Sequence, residues 1–170
     1  LSNRVVMLTE IDRGELELHK EEVALRPLLR DIAEKYQLKA AKTVHFDIDC
    51  EEGCSVYADA FCLCEILSNL VDNAVKYSNE EVLIVLSGTK TEDGTIVRVH
   101  DNGIGIPLSE QHKIFNKFER IASGSRKTGA SGFGLGLNYV LQVVSAHGGM
   151  VKVESMEGSY SEFTLQFPLR

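Results

Sequence analysis

Asn69 and Asn73 stand four residues apart in the run NLVDNAVKY, so on a helix both amides share one face while Leu70 and Val71 turn inward. Two amide oxygens side by side suit a hard cation such as Mg2+, which takes oxygen ligands and keeps several waters. Lys76, three residues beyond Asn73, can reach a phosphate as a point charge. A polar, solvated helix face carries the same residues, and taken alone the run favours that simpler reading.

Three further clusters could do chemistry. Asp101-Asn-Gly-Ile-Gly-Ile-Pro107 directly follows a strand-like run. A carboxylate at a strand end can accept a hydrogen bond from an exocyclic amine, and Gly103 and Gly105 let main chain close on a planar ring. The same D-N-G run is also ordinary turn chemistry. In GFGLGL, Gly132, Gly134 and Gly136 alternate ahead of an apolar helix, where bare main-chain N–H groups can receive a phosphate. The run is not a dinucleotide fingerprint, since its third glycine comes one position early and no βαβ unit surrounds it. Nor is it a P-loop, which needs G-x4-G-K-[ST]. Arg126 and Lys127, in the loop before it, suit a lid over phosphates. In IFNKFER, Phe115 and Phe118 are three apart on a short helix, a spacing that core packing also explains.

These clusters need elements to hold them. Leu1, Val5, Leu8 and Ile11 form a short helical stripe that begins abruptly and stops at Gly14, as the end of a longer helix would. Leu16 and Leu18 alternate like a short strand. Pro27 opens an amphipathic helix through Leu29, Ile32, Ala33 and Tyr36 to Ala40. Val44, Phe46 and Ile48 predict a strand. Asp59 is placed to cap a helix running to about Tyr77. Residues 82–89 and 95–100 predict a hairpin turned by Glu92-Asp93-Gly94. A short helix is expected near Ser109 to Phe115, an aperiodic loop from Arg120 to Ser131, and a last helix from about Gly134 to a stop at His147-Gly148-Gly149. Met150 to Ser155 and Glu162 to Phe167 predict two final strands. The order predicts an α+β fold, an α/β two-layer sandwich whose mixed, mostly antiparallel sheet carries helices on one face.

Composition narrows the function classes. In 170 residues with 44% hydrophobic and 25% charged side chains there is room for one ordinary globular domain with a real core. No apolar stretch of about 18 residues and no basic-then-apolar leader is present, which predicts a soluble chain, open to being one piece of a membrane-anchored protein. A net charge of −7 argues against a general nucleic-acid binder, which needs a basic face. Cys50, Cys54, Cys62 and Cys64 lack the paired C-x2-C spacing of common zinc sites and are expected to be reduced thiols.

The four runs in this order, together with HGGMVKVES and SEFTLQFP, resemble the catalytic, ATP-binding domain of two-component sensor histidine kinases, a Bergerat-type fold of the GHKL superfamily. The resemblance runs from about Leu25 to Arg170. It matches the asparagine box (NLVDNAVKY), the first glycine box (DNGIGIP), the phenylalanine box (IFNKFER) and the second glycine box (GFGLGL). Residues 1–14 resemble the end of the second helix of the family's dimerisation and histidine-phosphotransfer domain, leaving 15–170 as the catalytic domain. The resemblance implies ATP and Mg2+ as cofactors, with Asn73 the main metal ligand and Asn69 beside it near the phosphates. Lys76 would contact phosphate, Tyr77 would pack at the nucleotide, and Asp101 would bind the adenine amino group in a pocket shaped by Gly103 and Gly105. Phe115 and Phe118 would anchor the base of the lid, with Arg120 towards the triphosphate. Gly132, Gly134 and Gly136, with the main chain of Leu135 and Leu137, would hold the phosphate chain. Asn69, Lys76 and Arg120 would serve the transfer itself. Phe133 departs from the small residue common at its place, which bears on the shape of the glycine loop.

The implied reaction gives the γ-phosphate of ATP to a histidine elsewhere. None of His19, His45, His100, His112 and His147 has the acceptor's helical setting, following acidic residue and nearby proline, so the acceptor is expected on a separate domain of the same protein. A response regulator is the implied downstream partner and a homodimer the implied parent. The implied setting is a cytoplasmic domain, its parent open to anchoring in the inner membrane. Two alternatives stand. An ATP hydrolase of the superfamily would need a glutamate where Asn69 stands, or a shifted register that uses Glu65; a non-catalytic nucleotide-binding module would bind ATP and transfer nothing.

Overall fold

The computed structural model describes residues 17–106 and 130–170, with 130–136 described by their backbone alone. The expected helix end at residues 1–14, the start of the strand expected at Leu16 and Leu18, and the short helix near Ser109 lie outside the described residues. So do Phe115, Phe118, Arg120, Arg126 and Lys127, and of the predicted loop all but its last two residues.

The described chain runs β1 (Lys20–Ala24), α1 (Leu25–Lys39), β2 (Thr43–Cys50), β3 (Ser55–Asp59), α2 (Ala60–Lys76), β4 (Glu81–Thr91), β5 (Gly94–Asp101), α3 (Ala130–Ala146), β6 (Met150–Met156) and β7 (Tyr160–Pro168). Five strands form one sheet in the order β2-β4-β5-β7-β6, with β2 parallel to β4 and every other pair antiparallel. β1 and β3 form a separate antiparallel pair. The architecture is the expected α+β one: a mixed, mostly antiparallel sheet with the helices on one face.

Period-two alternation along the sheet decides which side chains meet the helices. Val82, Ile84 and Leu86 of β4, Val97 and Val99 of β5, and Phe163, Leu165 and Phe167 of β7 are buried beneath α2 and α3, while Ser87, Arg98, Glu162 and Gln166 take the opposite, solvated face. The buried face of α2 is built from Leu63, Ile66, Leu67, Leu70 and Val71, and that of α3 from Leu137, Val140, Val143 and Val144.

Helix ends follow the side chains available to close them. Asp59 caps α2 as expected, its Oδ1 accepting the Cys62 N–H at 3.0 Å, a bond of a kind that contributes about 1 kcal/mol. At the other end Lys42 donates from Nζ to the carbonyls of Val75 (2.7 Å) and Ser78 (3.0 Å), a cation at the negative end of the helix dipole. α1 starts two residues before Pro27 and has no side-chain cap; its first N–H, on Leu25, is satisfied by the Cys54 carbonyl at 3.0 Å. α3 stops where HGG predicts, with the Gly149 N–H reaching back to the Val144 carbonyl at 2.9 Å.

Three elements differ from the sequence reading. The first strand lies at Lys20–Ala24, not around Leu18, because its partner β3 supplies the register from Lys20↔Asp59 to Ala24↔Ser55. β3 itself goes unread in the sequence; its only signal is the alternation of buried Val56 and Ala58 just before the cap. The last helix begins at Ala130 and not near Gly134, so Gly132, Gly134 and Gly136 are helical. Each glycine costs a helix about 1 kcal/mol relative to alanine, a penalty that the packing of Leu137 through Val144 offsets.

A buried polar node joins the ends of these elements. The Asp59 N–H donates to His147 Nε2 at 3.0 Å, His147 Nδ1–H donates to the Val143 carbonyl at 2.7 Å, and Asp59 Oδ2 accepts the His19 N–H at 2.9 Å. Both ring nitrogens are used by the neutral imidazole, so a second proton would break the bond from Asp59. Burial holds the His147 pKa below its ordinary 6.5, against the opposing effect of the Val143 carbonyl. A base whose folded pKa is depressed adds stability that is complete above its unfolded pKa and declines as pH falls below it. Burial alone would raise the Asp59 pKa, but the N–H groups of Cys62 and His19 outweigh it and the carboxyl titrates below its ordinary 3.8, outside this window. Set against the buried Asp101 carboxyl, whose pKa raised to about 6 adds stability on acidification, denaturant unfolding across a pH series is expected to show the His147 contribution flat above pH 6.5 and declining below it. His147→Gln, whose amide can make both bonds without titrating, is expected to flatten that decline.

Candidate functional site

Asp101 has the same strand parity as Val97 and Val99, so its carboxylate turns inward and is only 6% exposed. The Gly103 N–H donates to its Oδ1 at 2.8 Å. Burial raises the Asp101 pKa to about 6 despite that bond and the nearby His100. Asn102 turns the other way and extends the ladder: its Oδ1 accepts the Leu83 N–H at 2.8 Å and its own N–H reaches the Leu83 carbonyl at 3.3 Å. That pair holds the end of β5 in place as the chain leaves the sheet.

Beside Asp101 lies a small pocket lined by Leu70, Asn73, Ala74 and Tyr77 of the α2 end, Gly105, and Ser161 and Phe163 of β7. Ser161 is the cross-strand partner of Asp101. The glycines are required by close approach. A Cβ on Gly103 would stand 2.7 Å from Asp101 Oδ1 and 2.8 Å from the Tyr77 carbonyl oxygen. Gly105 has φ +75° and a Cβ there would stand 2.2 Å from the Met156 carbonyl oxygen, so both the backbone conformation and the space exclude a side chain. The Gly158 N–H to Ile104 carbonyl bond (2.6 Å) and the Ile106 N–H to Ser155 Oγ bond (2.7 Å) tie this loop to the β6–β7 hairpin.

Asn69 and Asn73 are buried on α2, 3% and 7% exposed, and the Nδ2 atom of each is shut from solvent with no hydrogen-bond partner among the described residues. A buried amide nitrogen without a partner costs about 1–3 kcal/mol, which a protein keeps for a reason. Lys76 is exposed and pairs with Asp72 at 3.1 Å. Glu65, four residues before Asn69, accepts the Tyr139 hydroxyl at 2.6 Å. Glu65, Asn69 and Asn73 recur at intervals of four along one side of α2, and at Glu65 that side meets α3. The contacts 59–147 and 65–139 run in opposite directions along the two chains, so α2 and α3 are antiparallel. On α3, Tyr139, Gly136 and Gly132 are three and four apart, so the helix carries them on one face as well.

Asn73, Tyr77, Asp101 and Gly105 thus come together, with Gly103 in the wall and Asn69 one turn along α2. Gly132, Gly134, Leu135, Gly136 and Leu137 lie in the first two turns of α3, not in a preceding loop, so the N–H groups of Leu135 and Leu137 fall beyond the first helical turn. Sequence reasoning missed Ser161, Phe163, Leu70 and Ala74, whose only signal is strand or helix parity with residues already chosen. A cavity of about 720 Å³ between α1 and the β2–β3 turn lies elsewhere. Its Arg26 and Arg30 are balanced by Glu22, Asp31, Glu34 and Glu52.

Residues 58–170 match the family described as histidine kinase-, DNA gyrase B-, and HSP90-like ATPase. The chain belongs to that family. Among relatives, the circadian input-output histidine kinase CikA of Synechococcus elongatus is 34% identical over 99% of this chain and 23% of its own length. The sensor histidine kinase RppB of Synechocystis is 35% identical over 99% of the chain and 38% of its own length. The chain therefore spans well under half of these relatives. Full-length ShkA in complex with AMPPNP superposes with a TM-score of 0.81 at 28% identity, over 98% of this chain and 34% of that one. The nucleotide-free catalytic domain of histidine kinase ThkA superposes at 0.75 and 26% identity, over 89% of this chain and 99% of its own. The domain thus has the fold of histidine kinase ATP-binding domains. No helix among the described residues is long and apolar enough to cross a membrane.

Proposed function

We propose that this domain binds Mg-ATP and donates the γ-phosphate to a histidine on a separate phosphotransfer domain of the same protein. The observation that carries it is the buried Asp101 carboxylate, facing a pocket bounded by the asparagine helix and walled by glycines that admit no side chain. The likeness to ShkA, whose structure holds AMPPNP, supports a nucleotide as the occupant.

Asp101 accepts a hydrogen bond from the adenine amino group, and Tyr77 packs beside the ring. Lys76 leaves Asp72 to meet a phosphate. The free N–H groups of the first turn of α3, around Gly132, receive the phosphate chain, and Gly134 and Gly136 keep the next turn bare for its approach. Arg126 and Lys127 close over it, Phe115 and Phe118 anchor that lid, and Arg120 approaches the triphosphate. The donor set fits Mg2+: Asn73 and Asn69 are buried neutral amides whose oxygens would fill two of its ligand positions, the rest falling to waters and phosphate oxygens. Bound there, the ion would neutralise charge on the phosphates.

In the transfer, the lone pair of the acceptor imidazole forms a P–N bond as the bond from the γ-phosphorus to the β–γ bridging oxygen breaks, and ADP leaves with that electron pair. The transition state is loose, so the domain's contribution is placement and charge. Hydrolysis through Glu65 is disfavoured because its carboxylate already holds Tyr139. The phosphorylated partner would pass its phosphoryl group to a response regulator receiver domain, in a homodimeric parent whose catalytic domain is cytoplasmic.

The test uses radiolabelled ATP. The chain alone is expected to take up Mg-ATP in calorimetry yet acquire no acid-labile label, and to label a histidine phosphotransfer domain when one is supplied. Label on the chain itself, or uptake without any transfer, would count against this function.

A further inference from the structure

We infer that Glu65 and Tyr139 form a positioning clasp that sets the asparagine stripe of α2 against the glycine stripe of α3. The inference rests on the nucleotide role proposed above and assigns a function to two residues outside that binding set.

Tyr139 is fully buried, and its hydroxyl donates to Glu65 Oε1 at 2.6 Å, a short charge-assisted bond between two helices. Glu65 lies one turn from Asn69 and two from Asn73, about 6 and 12 Å along α2 at the usual helical rise. Tyr139 lies about 4.5 Å along α3 from Gly136 and about 10.5 Å from Gly132 by the same rise. Gly132 and Gly136 carry no side chain with which to interlock against the amides. Leu137, Val140, Val143 and Val144 hold the helix down, but apolar contact is non-directional and tolerates sliding and rotation. A hydrogen bond is directional. A second polar tie, Asp59 to His147, joins the far ends of both. Among the described side chains the 65–139 bond is the tie beside the stripes, and it fixes how far the first turns of α3 stand from Asn69 and Asn73. Phosphate placement is sensitive to displacements of about 1 Å, so the clasp acts on nucleotide binding without touching the nucleotide.

The experiment is a double-mutant cycle read by Mg-ATP calorimetry on the full chain, with thermal melts in parallel. Tyr139→Phe removes one oxygen and is expected to raise Kd about tenfold, the equivalent of one lost charge-assisted bond. Glu65→Ala is expected to match it, and the double variant to remain near tenfold where independent effects would multiply to about a hundredfold. Glu65→Gln keeps an acceptor oxygen and is expected to restore Kd to within about twofold of the unaltered chain. A merely structural bond would lower the melting midpoint and leave Kd unchanged well below it; that result, or multiplicative single effects, overturns the clasp. Absence of ATP uptake by the unaltered chain sinks the nucleotide reading and the clasp with it. Normal uptake indifferent to both substitutions sinks the clasp alone.

Discussion

Asp101→Asn is expected to weaken ATP binding about a hundredfold while making the nucleotide-free domain more stable at neutral pH, because a buried ionised carboxylate gives a charge-assisted bond worth up to about 3 kcal/mol to its ligand. The two effects share one origin. Burial lifts the Asp101 pKa from 3.8 to about 6. An acid with a raised folded pKa costs stability as pH rises through that pKa, so above about pH 6 the free domain carries an ionised carboxylate that the fold disfavours. A shift of about two units corresponds to roughly 3 kcal/mol. Asparagine can still accept the Gly103 N–H, so the loop keeps its shape while the charge is lost. ATP affinity of the unaltered chain follows the opposite course in pH: it is complete above about pH 6 and falls below it, as the carboxyl gains a proton and loses its acceptor strength. Calorimetric titrations and melts at pH 5 to 8 measure both (the range brackets about 6). Tight binding by Asp101→Asn, or affinity flat through this window, would remove the carboxylate from the adenine site.

The second large effect falls on chemistry. Asn73→Ala is expected to slow phosphoryl transfer to a supplied histidine domain at least about a thousandfold, some 4 kcal/mol of barrier, which is the scale of losing a metal ligand from a phosphoryl-transfer site. ATP binding measured in a chelator should change little, since Asp101 and Tyr77 still hold the base. Stability should hold or rise, because the buried Asn73 Nδ2 atom has no partner among the described residues and alanine removes that penalty. Single-turnover transfer in magnesium, paired with binding in chelator and a melt, separates the three expectations. Transfer within tenfold of the unaltered rate, as an order-of-magnitude bound, would mean that the metal is held elsewhere.

Much of the fold was legible because period alone carries it. The strands at Val44 to Ile48, at the 82–100 hairpin and at the two C-terminal runs all appear with side chains alternating as their sequences require. Asp59 closes α2 for the local reason that a short carboxylate can reach an N–H three residues on. β1 and β3 were harder, because KEEVA has one strong strand former and SVYAD is five residues long; each is a strand because the other pairs with it. The start of α3 was misread because three glycines argue for a break, and what overrides them is packing against α2, which no local rule contains.

The site divides along the same line. The residue types came from the sequence by itself: two amides one turn apart, a carboxylate at a strand end, glycines where main chain must come close. Those choices depend on bonding within a few residues, where helical and strand periods are enough. Ser161 reaches Asp101 across some sixty positions through a β-ladder, Tyr139 reaches Glu65 across 74, and His147 reaches Asp59 across 88. Such contacts are decided by how the sheet orders its strands and how two helices settle side by side. They depend on the simultaneous burial of many side chains, and only the folded chain brings those together.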